Sequence, residues 1–167
     1  MNKILTYTSA ILLICGGCSQ HAPKQEMTQL QMREIQTRTF AAKDSKTVLK
    51  EMMNVMQDDN FIVKNASFEL GLLTGEKDID VSSGWEKTLK LLVWGSKQAS
   101  WKNNCVIEIS ANVSQFGDDT KVRVNFQAKT LDQKGRIIKT AQVHDQQYYQ
   151  EFFNKVHGGL FIQQEQL

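Results

Sequence analysis

Residues 104–129 read NCVIEISANVSQFGDDTKVRVNFQAK. From Asn104 to Val113 the apolar residues Cys105, Ile107, Ile109, Ala111 and Val113 alternate with Glu108, Ser110 and Asn112. From Lys121 to Lys129, Val122, Val124, Phe126 and Ala128 alternate with Lys121, Arg123, Asn125, Gln127 and Lys129. Successive side chains on a strand point to opposite faces, so each run carries one apolar and one polar face. Gly117-Asp118-Asp119 between them supplies residue types that turn a chain tightly. The stretch predicts an antiparallel hairpin with one face in the core and the other in water.

Downstream, Asp132-Gln133-Lys134-Gly135 predicts a turn and Ile137 to Val143 a final strand. Asp145 is placed to cap a last helix whose apolar side is Tyr148, Tyr149, Phe152, Phe153, Val156 and Leu160. Gly158-Gly159 is expected to weaken or end it. Upstream, Asp44-Ser45 offers a helix N-cap, and Val48, Leu49, Met52, Val55 and Met56 follow at helical spacing. Asp58-Asp59-Asn60 ends that helix, with Asn60 suited to a left-handed conformation. Phe61 to Ala66 and Leu72 to Val81 predict two strands joined by a turn at Ser67 to Gly71. Alternation from Met32 to Phe40 predicts a first strand. The polar residues 19–30, with the only proline, Pro23, predict a tether.

Residues 82–101 stand apart. Ser82-Ser83-Gly84 breaks the preceding strand, and Trp85, Leu89, Leu92 and Val93 recur at helical spacing, with Lys87, Lys90 and Lys97 elsewhere. Trp94 and Trp101 complete a cluster holding all three tryptophans. Such a segment suits either a crossover helix packed on the sheet or an insertion that meets a membrane or a protein. Trp85, Leu89, Trp94 and Trp101 are its candidate interface residues.

The N-terminus carries a different kind of information. Lys3 precedes an apolar run from Ile4 to Ile14, which closes on Cys15-Gly16-Gly17-Cys18. A positive start, a short apolar stretch and small residues before a cut site form a secretory signal. The run is well short of the ~20 residues that span a bilayer. With Gly17 directly before Cys18, the segment resembles a bacterial lipoprotein signal. The resemblance implies cleavage between Gly17 and Cys18, acylation of Cys18 by palmitate-type chains, and attachment to the membrane. Ser19, where aspartate would retain such a protein at the inner membrane, implies the outer membrane. Asn60-Phe61-Ile62-Val63-Lys64 and Leu70-Gly71-Leu72-Leu73-Thr74 likewise resemble a helix–strand–strand pattern of Gram-negative envelope lipoproteins. Among them is the accessory lipoprotein C of the β-barrel assembly machine, and the implied fold is helix-grip-like.

Beyond residue 17 about 150 of the 167 residues remain, enough for one domain with a sizeable core. Without Lys3, 19 Lys and Arg stand against 18 Asp and Glu. A near-neutral balance argues against nucleic acid as a partner. Cys105 is the one cysteine past Cys18; unable to pair within the chain, it is expected to be buried. Glycine-rich phosphate loops, zinc-binding His-Glu-x-x-His and Gly-x-Ser-x-Gly are absent from the sequence. His21, His144 and His157 are scattered, and Glu76, Asp78 and Asp80 on one strand face read as a solvated surface rather than a cation site.

The expectation is an α+β protein in the order β-α-β-β-(α)-β-β-β-α, a mostly antiparallel sheet with helices on one face. Residues 1–17 are the signal, 18–31 the lipidated cysteine and tether, and 32–164 one periplasmic domain with an insertion at 82–101. The expected function is non-enzymatic, without cofactor: a lipid-anchored accessory subunit of an envelope assembly for secretion, efflux, barrel insertion or a motor, with protein partners. The alternative is a carrier of lipid or a small hydrophobic ligand in a cavity lined by Met52, Met56, Phe126 and Phe153.

Overall fold

A computed structural model describes residues 27–41, 43–79 and 104–165. The 104–129 hairpin is its spine. β4 (Asn104–Phe116) and β5 (Asp119–Leu131) each run longer than the strict alternation suggested and pair along their whole length. Gly117, at φ 60°, is the first residue of the two-residue connection, a conformation that costs glycine little and suits the twist of paired strands. β3 (Leu72–Asp78) pairs with β4, and β2 (Ile62–Ser67) pairs with β3 and forms one border of the sheet.

The other border is shared. β1 (Thr37–Phe40) pairs with residues 120–123 of β5, and β6 (Ile137–Gln142) pairs with residues 127–131 of the same strand. Between the two, the backbone of β5 has no neighbouring strand among the described residues. Within this interval Phe126 is satisfied otherwise: Val143 N donates to Phe126 O at 3.0 Å, and Phe126 N donates to Tyr149 Oη at 3.2 Å. All pairings among the described residues are antiparallel.

α2 (Ser45–Asp58) and α3 (Gln146–Glu165) lie side by side over the apolar face of the sheet. Asp44 caps α2 as expected, its Oδ1 accepting from Lys46 N and Thr47 N at 3.0 Å, and Asn60 at φ 62° turns the chain out of it. Asp145 Oδ1 accepts from Gln147 N at 2.9 Å at the start of α3. The α2 stripe meets Leu73, Ile107, Ile109, Val122 and Val124 of the sheet in one core. Phe126 is its centre, with the rings of Tyr148, Tyr149 and Phe152 at 4.7, 5.1 and 5.5 Å. The fold is α+β, with an antiparallel sheet covered on one face by helices.

Two local expectations are corrected. Residues 29–36 are neither tether nor strand but a helix, α1 (Gln29–Gln36), and only Thr37–Phe40 of the expected first strand is extended. Thr28 and Gln31 form a reciprocal cap, Thr28 N donating to Gln31 Oε1 at 2.8 Å and Gln31 N to Thr28 Oγ1 at 3.3 Å. Met32, Ile35 and Gln36, at helical spacing, are the residues α1 buries, wholly or in part. The domain therefore begins before residue 32. Second, Gly158-Gly159 does not end the last helix, which continues to Glu165. Gly159 lies where Glu51 of α2 crosses, and a Cβ there would overlap the Glu51 carboxylate. The expected segment 82–101 lies outside the described residues.

Candidate functional site

Of the candidate residues, Gly17, Cys18, Trp85, Leu89, Trp94 and Trp101 lie outside the described residues. Met52, Met56, Phe126 and Phe153 are all buried and belong to the packed core, and none lines the grooves described below. Cys105 is buried as expected. His144 and His157 are exposed. Glu76 is ion-paired with Lys64 at 2.6 Å, and Asp80 is outside the described residues. Among the described residues no group of three or more His, Cys, Asp or Glu is placed to hold a metal ion, and no helix is long and apolar enough to cross a membrane.

The face of the sheet turned away from the helices carries a groove of about 420 Å³. Its residues follow from strand register. Leu72, Asn112 and Arg123 are direct cross-strand neighbours on β3, β4 and β5. Thr74, Ser110 and Asn125 form the next row, with Asn65 beyond Thr74 on β2. Adjacent positions in a row are about 4.8 Å apart. Hydrogen bonds orient several of these groups. Asn125 Oδ1 accepts from Gln36 Nε2 at 3.2 Å and Gln142 Nε2 at 2.9 Å, Arg123 donates to Gln36 Oε1 at 3.3 Å, and Ser114 Oγ donates to Asn112 Oδ1 at 2.9 Å. Gln36, 2% exposed, is the pivot of this network. Among the described residues the groove is lined by one guanidinium and no carboxylate. Lys129 on the same strand is instead neutralised by Glu108 at 2.7 Å.

A second groove, of about 320 Å³, opens where α2 ends beside α3. There Lys77, only 6% exposed, donates to Asp59 O at 3.3 Å and lies 4.8 Å from the centre of the Phe61 ring. Lys155 and Asp59 form an ion pair at the mouth. Sequence reasoning missed Lys77, although it shares strand parity with Leu73, Gly75 and Ile79, which are buried. It also missed Glu51, whose Oε2 accepts from Gln163 Nε2 at 2.6 Å and Asn54 Nδ2 at 3.0 Å between α2 and α3. A charged side chain with such partners can be buried without a functional purpose.

Among the described residues β2 is the last strand on its side of the sheet, with exposed apolar residues at and beside it: Ile62 is 63% exposed, and Phe68 and Leu70 project from the following turn. Edge strands present unpaired backbone groups that invite another strand. No protein-family model matches this chain, and neither does any curated protein.

Proposed function

We propose that this chain is a lipid-anchored envelope protein that works as a non-enzymatic accessory or structural subunit of an envelope assembly. One observation carries the reading: the Ile4–Ile14 apolar run that closes on Gly16-Gly17-Cys18. Acyl chains on Cys18 would hold the domain on the periplasmic side of the outer membrane. A single chain binds marginally, at roughly 0.8 kcal/mol per buried methylene, and two or more hold firmly. Only nine residues separate Cys18 from Thr28, where the first helix is capped. Fully extended, they reach about 30 Å. A protein so tethered meets envelope partners at high effective concentration. The β2 border, with Ile62, Phe68 and Leu70, supports the reading as a surface for such a partner.

Cys18→Ser is expected to release the protein from the membrane fraction into the soluble periplasm and to abolish labelling by a palmitate analogue. A mature protein with an unmodified N-terminus by mass spectrometry refutes the anchoring. Crosslinking in cells through a photoreactive residue at Ile62 should trap a defined envelope protein; an absence of discrete products counts against the β2 contact.

A further inference from the structure

We infer that the groove on the open sheet face binds a glycan carrying a carboxylate. The argument is an inventory of donors. The carbonyl oxygen of Asn125 is already occupied by the amides of Gln36 and Gln142, so its own NH2 is the end left for a ligand. The carbonyl oxygen of Asn112 is likewise occupied by Ser114, again leaving an NH2. Arg123, directly across from Asn112, gives one N–H to Gln36 and makes no ion pair among the described residues. A guanidinium has five N–H donors in a fixed fork, so most are uncommitted. Three donor groups on two adjacent strands thus face a space without a carboxylate, and a carboxylate on the ligand is their complement.

The rest of the groove matches a sugar rather than a peptide. The backbone groups of β3 and β4 beneath it are used in the strand ladders, and in the β5 interval Phe126 is bonded to Val143 and Tyr149, so an extended peptide lying on this face would find few backbone partners. Peptides that recognise sheets do so at edges. Thr74, Ser110 and Asn65 offer neutral hydroxyl and amide groups suited to sugar hydroxyls, and the half-exposed Leu72 offers an apolar wall for the C–H face of a ring. The volume lies within the range of small-ligand clefts.

The test is titration of the full chain, in detergent, with N-acetylmuramic acid and separately with N-acetylglucosamine, which has a hydroxyl in place of the lactyl ether and so no carboxylate. Side-chain amide resonances of Asn112 and Asn125 are read by NMR. Saturable shifts with the acid, and binding weaker by about tenfold or more for the neutral sugar and for Arg123→Gln, are expected. Because Arg123 also contacts Gln36, Asn112→Asp serves as a second variant: it keeps the side-chain volume, introduces repulsion, and should abolish binding while circular dichroism is unchanged. Absent shifts, equal binding of both sugars, or stronger binding of an acidic peptide at the same resonances would each overturn the inference. The anchoring is independent of it, since Cys18→Ser should bind the acid unchanged.

Discussion

Tyr149 shows how one side chain can complete a backbone. Its hydroxyl accepts the Phe126 N–H in the interval between β1 and β6, where strand pairing is interrupted. Tyr149→Phe leaves that buried donor without a partner and should cost about 1–3 kcal/mol in urea denaturation. Burial pushes the Tyr149 hydroxyl above its usual value of 10.0, against the opposing effect of the Phe126 hydrogen bond. The unfolded chain then loses this proton at lower pH than the folded one. The contribution to stability is therefore full below pH 10 and falls as pH rises through the folded value, an alkaline loss that Tyr149→Phe should lessen. Asp44 behaves oppositely. Hydrogen bonds from the Thr47 side chain and backbone, with a smaller one from Lys46 N, hold its carboxyl below 3.8. Its contribution is present above that value and disappears as pH falls through the lower folded one. Asp44→Ala should cost about 1 kcal/mol near neutrality and flatten the acid limb of the stability profile.

At the scale of elements, α3 holds two glycines with opposite surroundings. A Cβ at Gly158 meets nothing, whereas one at Gly159 meets Glu51. Gly158→Ala should raise the denaturation midpoint, by up to about 1 kcal/mol of helix propensity. Gly159→Ala should lower it, and lower it less when Glu51 is also changed to alanine; equal gains at both positions would contradict the close crossing of α2 and α3. These glycines also mark where the sequence was legible and where it was not. The hairpin, the α2 stripe and the Asp44, Asp145 and Asn60 boundaries were readable because local chemistry and tertiary structure agree there. Gly159 misled because its role is set by a residue 108 positions away. In residues 32–36, alternation and helical spacing coincide over so few positions that the Thr28–Gln31 cap decides between them. The open-face groove was invisible as a site. Asn112 and Asn125 read only as the wet side of a hairpin; strand register sets them beside Arg123, and Gln36, which arrives from α1, bonds Asn125 and Arg123.

For the whole molecule, Phe126 joins the sheet to α3 and to Phe61, which follows α2. Phe126→Ala should cost about 3–5 kcal/mol, a large share of the 5–15 kcal/mol that holds a typical domain together, and denaturant titration will register it as a collapse of the midpoint. A loss below 1 kcal/mol would mean that the ring is not central. The division of one β5 edge between β1 and β6 has a further effect, on timing. Thr37–Phe40 is made well before its partners, residues 120–123, and among the described residues Val143 and Tyr149 close the interval beside them. Contacts so distant along the chain form slowly. Residues 37–40 therefore cannot settle into the sheet until residues 120–149 are present to close around them.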